Sequence, residues 1–458
     1  MTVPRSRFPV LFTAGVILFL ATRLLLLLHP DTAHSTIGLY ATYGCEASVA
    51  AKTHVSFYAL HAERSPSSPA VEYPPLLISW MSLPVHLVAL AHRSACASQH
   101  GFEWYKDAAR ATLAAADILG CGCMCFLLWR MGASRDRLTA ALASYTFCGL
   151  ALYSVIYDRS DILVGTLIIF AAAALLLATP YWSLAIVALA INLKIVAILM
   201  APVWLIASLP CRALNGPRSS QIVHIAVRAL LLGLLTIVFF VPYLITGGAH
   251  SLDFIRYHAL RGMEVESLPA NVALILGRFG LPAELGYSYG SINVAAPGEA
   301  WIVRVFLLAG VVLECVALYR YWKIAQAVSA EAQGDVSVAR AIPQTTLRFA
   351  VLMLMVGVCT AKVFSPQYML WFVAIIPAIL LAKHSDDARL QWTFVLTCAL
   401  TMLVYPVVFN SQLCPIVQNP DGTSEYLDPT WIGVGALTVR NFSLVALAAW
   451  LWRLKTER

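Results

Sequence analysis

Apolar stretches close to twenty residues long recur from one end of this chain to the other. A helix needs about 20 apolar residues to cross the hydrocarbon of a bilayer, where an open backbone has nothing to bond with. The pattern predicts about twelve spans, near 8–28, 74–92, 107–129, 137–157, 161–178, 181–208, 222–246, 301–322, 345–362, 366–383, 390–410 and 433–453, the last interrupted by Arg440. The fold class expected is all-α: a polytopic transmembrane helix bundle forming a single integral membrane domain over residues 1–458. A soluble domain is excluded, because only 12% of residues are charged, against roughly 25% in soluble proteins. The first span is followed by no small-residue cleavage site and reads as an anchor, not a removed leader.

The net charge is +7, but Lys and Arg are dispersed over short connections, as an orientation signal requires. Membrane lipids are therefore expected as partners, and no nucleic acid. With the N-terminus in the cytoplasm and strict alternation, about 17 Lys and Arg fall inside and about 9 outside. One connection disagrees: Arg130, Arg135 and Arg137 fall outside. Cys121, Cys123 and Cys125 alternate along a helix, poor geometry for a chelate, so no metal is expected. Cys45 and Cys414 are the cysteines in expected outer loops, where an oxidising compartment permits a bond.

Chemistry must then sit in the polar connections. The first outer loop, 29–75, ends in Val71-Glu72-Tyr73-Pro74-Pro75, and the Pro pair bars helix geometry before it, making Glu72 a positioned acid beside Tyr73. Asp31, directly after Pro30, is the second candidate acid and the slightly favoured one, because it stands at the membrane exit. Between them, Ile37, Tyr40, Tyr43 and Ala47 have the spacing of a helix lying along the interface. Further along, His258 and Arg261 with Glu264 and Glu266 suit a charged headgroup. Lys362, Ser365, Gln367 and Tyr368 gather around a helix start at Pro366, and helix N-termini favour anions. Lys194 lies mid-span with no acid near it in sequence and needs an anionic partner from elsewhere. Arg23 either snorkels or serves a function. Asp158-Arg159-Ser160-Asp161 reads as an N-cap with a charge pair, structural and cytoplasmic by strict alternation. The 323–344 connection reads as a surface helix or linker.

Glu72-Tyr73-Pro74-Pro75-Leu76, Arg261-Gly262 with Glu266-Ser267, and Ser365-Pro366-Gln367-Tyr368 with Leu370-Trp371 occur in an order that resembles the bacterial polyprenyl-phosphate-mannose-dependent mannosyltransferases of glycosyltransferase family 87, in the GT-C superfamily. The likeness spans most of the chain. It implies a multi-pass enzyme of the bacterial plasma membrane, with no cofactor, whose site faces the non-cytoplasmic side. The partners implied are a polyprenyl-phosphate sugar donor and a lipid-linked or glycan acceptor, with transfer, of mannose by the resemblance, proceeding by inversion. An acid in the first outer loop is the implied general base. Relatives of this pattern carry an acid four residues before a tyrosine there, whereas here Thr36 precedes Tyr40; either Asp31 or Glu72 supplies the base, or the chain has diverged in substrate or lost activity as a catalytically silent homologue. Arg261, Lys362, His258, Ser365, Gln367 and Tyr368 are the candidates for the donor phosphate, with Lys194, Glu266 and Tyr73 as further site residues. A transporter or flippase of a lipid-linked sugar is the rival reading, and would place its polar groups at mid-membrane within repeats.

Overall fold

The leucine- and alanine-rich runs form helices as their propensity dictates. The computed structural model describes residues 8–31, 35–64, 71–91, 93–96, 98–332, 336–341, 343–380, 388–418 and 424–453. Among the described residues, six helical segments are long and apolar enough to cross a membrane: Val10–Leu28, Gln99–Arg130, Arg218–Leu260, Glu299–Glu331, Arg389–Leu413 and Trp431–Arg453. Shorter apolar helices pack among them, and the chain is an all-helical membrane protein with little sheet.

Helix α1 (Phe8–Leu28) carries Arg23 inward rather than toward the surface. Its guanidinium is held by Asp117 at 2.8 Å and by the carbonyls of Tyr145 and Thr146, so it does not snorkel. Helices α2 (Ile37–Thr53), α3 (Phe57–Arg64) and α4 (Pro75–Leu90) follow, then the long α5 (Gln99–Arg130). Pro75 opens α4 at the first helical position, where its missing N–H is not needed. The expected interfacial helix is α2, but Ile37, Tyr40 and Tyr43 are buried. They face α4 and the first turns of α5, where the Tyr105 hydroxyl reaches the carbonyls of Tyr40 and Met81, each at 2.8 Å.

A disulfide joins Cys45 to Cys96, just ahead of α5. This replaces the Cys45–Cys414 pairing, since Cys414 is a free, buried thiol. It also bears on the expected span at 74–92, which would have put Cys45 and Cys96 on opposite faces of the membrane. A bonded pair cannot be so divided, so α4 does not separate them.

The chain continues through α6 (Arg135–Ala151), α7 (Asp161–Leu176), α8 (Pro180–Leu193), α9 (Ala201–Ala207), α10 (Cys211–Leu214) and α11 (Arg218–Gly247). Then come α12 (Asp253–Leu260), α13 (Leu268–Gly277), the hairpin β1 (Glu284–Ser288) and β2 (Ser291–Ala295), α14 (Glu299–Glu331), α15 (Val338–Ala341) and α16 (Pro343–Thr360). After a short 3-10 turn, Pro366–Trp371, lie α17 (Ile375–Leu380) and α18 (Ala388–Met402), prolonged by a helical run to Leu413. A second hairpin, β3 (Ile416–Gln418) and β4 (Ser424–Tyr426), precedes α19 (Trp431–Arg453). The 323–344 connection begins as a straight continuation of α14 to Glu331.

The stretch expected as one span at 181–208 is two segments joined at Lys194, whose backbone is extended (φ −148°, ψ 121°). Helix α8 runs alongside α11, with Tyr181 bonded to Arg228 and Asn192 to the Thr236 carbonyl. The return, 195–207, runs back along α16: Leu199 packs near Gly357 late in that helix, and the Cys211 N–H bonds the Val336 carbonyl ahead of its start. Lys194 thus stands at a turn, not at mid-span. Helix α19 is unbroken, because Arg440 is buried within the bundle over the Phe364 ring and donates to the Glu266 carbonyl at 2.8 Å.

Cross-linking Cys45 to Cys96 stabilises chiefly by restricting the unfolded chain, typically by about 2–4 kcal/mol. Cys45→Ser and Cys96→Ser are therefore expected to lower the thermal unfolding midpoint of the detergent-purified protein by similar amounts, with the double variant no worse than either. Non-reducing peptide mapping that linked Cys45 to Cys414 would contradict the assignment.

Candidate functional site

Where α8, α12 and α16 end, and where the segments leading into α4, α7 and α13 begin, the side chains enclose a cavity of about 560 Å³. Glu72, Tyr73, Lys194, His258, Arg261, Glu266, Ser365, Gln367 and Tyr368 all line it. Asp31 and Lys362 do not. Asp31 accepts a hydrogen bond from Ser154 at 2.8 Å. The Lys362 ammonium is turned to the carbonyls of Ala259 (3.0 Å) and Arg261, where it answers the negative end of α12.

Glu72 reaches the cavity because Pro74 and Pro75 fix the backbone behind it. His258, on α12, donates from Nε2 to the Glu72 carbonyl at 3.2 Å, which clamps α12 to this segment. Tyr73 is buried, and burial together with the neighbouring Glu72 charge holds its phenol well above the usual value. Tyr40 and Tyr43 pack edge-on against the Tyr73 ring and complete the support from α2.

Lys194 finds the partner that its own sequence neighbourhood lacks. Its ammonium lies 2.8 Å from Asp161, the first residue of α7, and the other oxygen of that carboxylate accepts from the Trp371 indole at 2.7 Å. The contact is possible because α7 lies tight on the 366–371 turn: a Cβ at Gly165 would come within 2.7 Å of the Leu370 carbonyl. Tyr368 stacks on Trp371 at 4.4 Å and presents its ring to Lys194. Pro366 forces Ser365 into extended backbone (φ −118°, ψ 149°), and this turns the Ser365 hydroxyl onto Glu264 at 2.9 Å.

Arg261 closes α12 and is held on two sides, by the Ser291 hydroxyl at 3.1 Å and the Glu264 carboxylate at 3.3 Å. The 263–265 stretch is paired to β2 through Val265 N–H to Ile292 O (3.0 Å) and Val294 N–H to Met263 O (2.8 Å). The β1–β2 hairpin turns at Tyr289-Gly290, both at positive φ (50° and 69°), the pair of left-handed residues a tight two-residue hairpin needs. Burial pushes the Glu266 carboxyl up to about 8; Arg440 draws it down, and Glu264 pushes it further up. Burial likewise raises Glu264, against the pull of Arg261 and Ser365.

Several lining residues escaped the sequence reading. Arg159 belongs to the cavity wall, and its segment, expected to be structural and remote, is part of the site. The flanking acids do serve as charge partners, Asp158 to Arg110 (3.0 Å) and Asp161 to Lys194. Aromatic rings line the cavity as well: Tyr287 from β1, Tyr405 and Phe409 from the run after α18, and Tyr426 from β4. Tyr405 sits where Pro406 breaks that run into extended backbone (φ −127°, ψ 121°). Tyr405-Pro406 was the available signal for a kink. Nothing in one sequence says which loops close over a cavity. Among the described residues no three His, Cys, Asp or Glu side chains gather as metal ligands would.

The raised Glu266 fixes the sign of a pH effect. An acid that binds its proton more tightly folded than unfolded contributes stability below its unfolded value, near 4.5, and that contribution fades as pH rises through about 8. Unfolding midpoints measured from pH 5 to 8 are expected to fall for the parent protein, by at most about 1.4 kcal/mol per pH unit from this group, and to fall less steeply for Glu266→Gln. An equal slope in both proteins would remove Glu266 as the cause.

No protein-family model matches this chain, and a search of curated proteins finds no match either.

Proposed function

We propose that this protein is an integral membrane glycosyltransferase of the GT-C type, which moves a sugar from a polyprenyl phosphate to a hydroxyl of a lipid-linked or glycan acceptor with inversion. Mannose is the sugar implied by the resemblance. The observation that carries the reading is the meeting in one cavity of a carboxylate, Glu72, with three cations from distant segments, Arg159, Lys194 and Arg261.

In this reaction the acceptor hydroxyl gives its proton to Glu72 as its oxygen attacks the anomeric carbon. The bond from that carbon to the phosphate oxygen breaks, and its electron pair leaves with the phosphate. The departing monoester carries roughly −1.5 to −2 charge. Fixed cations at the place where that charge grows lower the barrier without reorganising. Arg261, braced by Ser291 and Glu264, and Lys194, braced by Asp161, are such cations. Of the two candidate bases, Glu72 is favoured over Asp31, because it lines the cavity beside them and Asp31 does not.

The same reading revises the topology. Helix α4 does not cross, whereas 181–208 crosses twice, so the twelve crossings become α1, α5, α6, α7, α8, the 195–207 return, α11, α14, α16, the 366–380 segment, α18 and α19. Arg130, Arg135 and Arg137 then join Arg212 and Arg340 on the cytoplasmic face, and the one conflict with the positive-inside rule disappears. The Cys45–Cys96 bond and the cavity share the opposite, oxidising face.

Incubation of the purified protein with labelled polyprenyl-phosphate sugars and a lipid extract tests the activity. Glu72→Gln should lower turnover by at least about 10²-fold, the low end for a general base, with donor binding retained, while Asp31→Asn has a much smaller effect. The opposite ranking would return the role to Asp31. Arg261→Lys keeps the charge but loses the fork geometry, and should weaken donor binding. For the topology, Glu63→Cys and Tyr287→Cys should label in intact cells and Ser134→Cys only after permeabilisation. Labelling of all three from one side would refute the crossing pattern.

A further inference from the structure

Of Arg159, Lys194 and Arg261, the cations that line the cavity, two are answered where they stand, Lys194 by Asp161 at 2.8 Å and Arg261 by Glu264 at 3.3 Å. Arg159 is not. Two acids flank it in sequence, yet both are engaged elsewhere. Asp158 accepts from Arg110 at 3.0 Å and from the Ser35 hydroxyl at 2.9 Å, while Asp161 gives one oxygen to Lys194 and the other to Trp371. Glu266 feels the Arg159 charge but has its ion pair with Arg440, at 3.4 Å. Among the described residues, no carboxylate forms an ion pair with Arg159.

The side chain is sunk deep in the protein but is not sealed off: part of its surface stays open, and it borders the cavity. The titratable groups foremost around it are Tyr40, Tyr73, Tyr405 and Asp161, whereas those around Arg261 are Glu264, Tyr368, Glu72 and Tyr257. The two guanidinium groups therefore serve different parts of the same space. Tyr73 relates Arg159 to the proposed base, since its phenol is near enough to both Glu72 and Arg159 to feel each charge. A guanidinium withdrawn from bulk water without a counter-charge is costly. A neutral hydroxyl recovers less of that cost than an oxyanion, which the planar N–H fork binds through two parallel hydrogen bonds.

We propose that Arg159 is a second anion site, distinct from the one that meets the donor phosphate, and that it binds an oxyanion carried by the acceptor. The inference rests on the glycosyltransferase reading above: with the donor phosphate at Arg261 and Lys194 and the acceptor hydroxyl at Glu72, the group left to face Arg159 belongs to the acceptor. It narrows the acceptor to molecules with a phosphate or carboxylate near the reacting hydroxyl and sets neutral glycans aside. A headgroup phosphodiester and the carboxylate of an acidic sugar offer the guanidinium the same pair of oxygens.

The test measures binding of four probes to the full-length protein in neutral detergent: phosphatidylglycerol, glucuronosyl diacylglycerol, the uncharged glucosyl diacylglycerol, and a short-chain polyprenyl phosphate. The parent protein should bind at least one of the two anionic glycerolipids about tenfold or more tighter than the glucosyl lipid, because only they form a charge-assisted pair. Preference for phosphatidylglycerol identifies a phosphate and preference for the glucuronosyl lipid a carboxylate; either supports the site. In Arg159→Gln that preference should shrink by about tenfold or more, while polyprenyl phosphate binds as it does to the parent. Arg261→Lys should do the reverse, weakening polyprenyl phosphate and sparing the preference. The thermal unfolding midpoint checks that each variant is folded; should Arg159→Gln fail it, Arg159→Lys, which keeps the charge and loses the fork, decides by the same comparison. Equal binding of charged and neutral glycerolipids by the parent, or an unchanged preference in the folded variant, overturns the second site and leaves the glycosyltransferase reading intact. A loss of polyprenyl-phosphate binding in Arg159→Gln as large as in Arg261→Lys also overturns it, by assigning Arg159 to the donor. A parent protein that binds no polyprenyl phosphate overturns that reading, and the acceptor role of Arg159 with it.

Discussion

A charge buried in an apolar bundle has to be answered by an opposite charge or by backbone dipoles, and in this protein the answers come from far away in the chain. Arg23 meets Asp117, Arg110 meets Asp158, Lys194 meets Asp161, and Arg440 meets Glu266. Removing one partner of such a pair typically costs about 3–5 kcal/mol, because the other is left uncompensated. These contacts therefore act as pins that fix which helix ends lie together. Two of them, at Asp158 and Asp161, bracket Arg159 and so place a cation in the cavity wall; a third, at Glu266, ties α19 to the segment that carries Arg261.

The helical character of the chain was legible because span-length apolar runs leave little alternative, and the polar clusters at 72–75, 258–266 and 365–368 were legible because charge and proline stand out against that background. What could not be read was the path between them. Helix α4 is as apolar as a span, and only the bond from Cys45 to Cys96 reveals that it does not part the two cysteines. The 181–208 run contains no glycine or proline near Lys194, so its reversal there has no local signature; the lysine itself was the clue, and its meaning depended on Asp161, 33 residues away. Arg159 was seen but read as apart from the site, whereas it lines the cavity; under the proposed crossing pattern, one miscounted crossing inverts the side of every loop that follows until a second cancels it.

The cavity that results is lined by charged and aromatic side chains together. The charged ones are Glu72, Arg159, Lys194, Arg261, Glu264 and Glu266, and the aromatic ones include Tyr287, Tyr405, Phe409 and Tyr426. The three carboxylates match the three cations in number, which would leave little attraction for an anion if all were ionised. Burial raises both Glu264 and Glu266 and so shifts that balance toward the cations. The aromatic rings add apolar area and a few hydroxyls, the mixture common in sites that enclose a small organic group. Under the proposed reading, Arg261 and Lys194 meet the anionic end of the donor and the rings its apolar or polyhydroxylated body.

Thr36 stands where the resembled family would carry its acid, and its contacts explain why an acid would not fit here. Its hydroxyl is 3.2 Å from the Asp158 carbonyl and donates to it, and Ser35 beside it donates to the Asp158 carboxylate at 2.9 Å. A carboxylate at position 36 would face an accepting carbonyl and add a second negative charge next to Asp158, which already pairs with Arg110. It would push away the segment that brings Arg159 into the cavity. A threonine at 36 instead docks the start of α2 onto that segment by donating a hydrogen bond. Glu72 meets no such conflict, because the cations Lys194 and Arg261 line the same cavity and His258 donates to its carbonyl. Under the proposed reading, the missing acid at one end of the loop and the positioned acid at the other belong to one arrangement: once Asp158 occupies the ground beside position 36, the base has to approach the sugar from the 72–75 side.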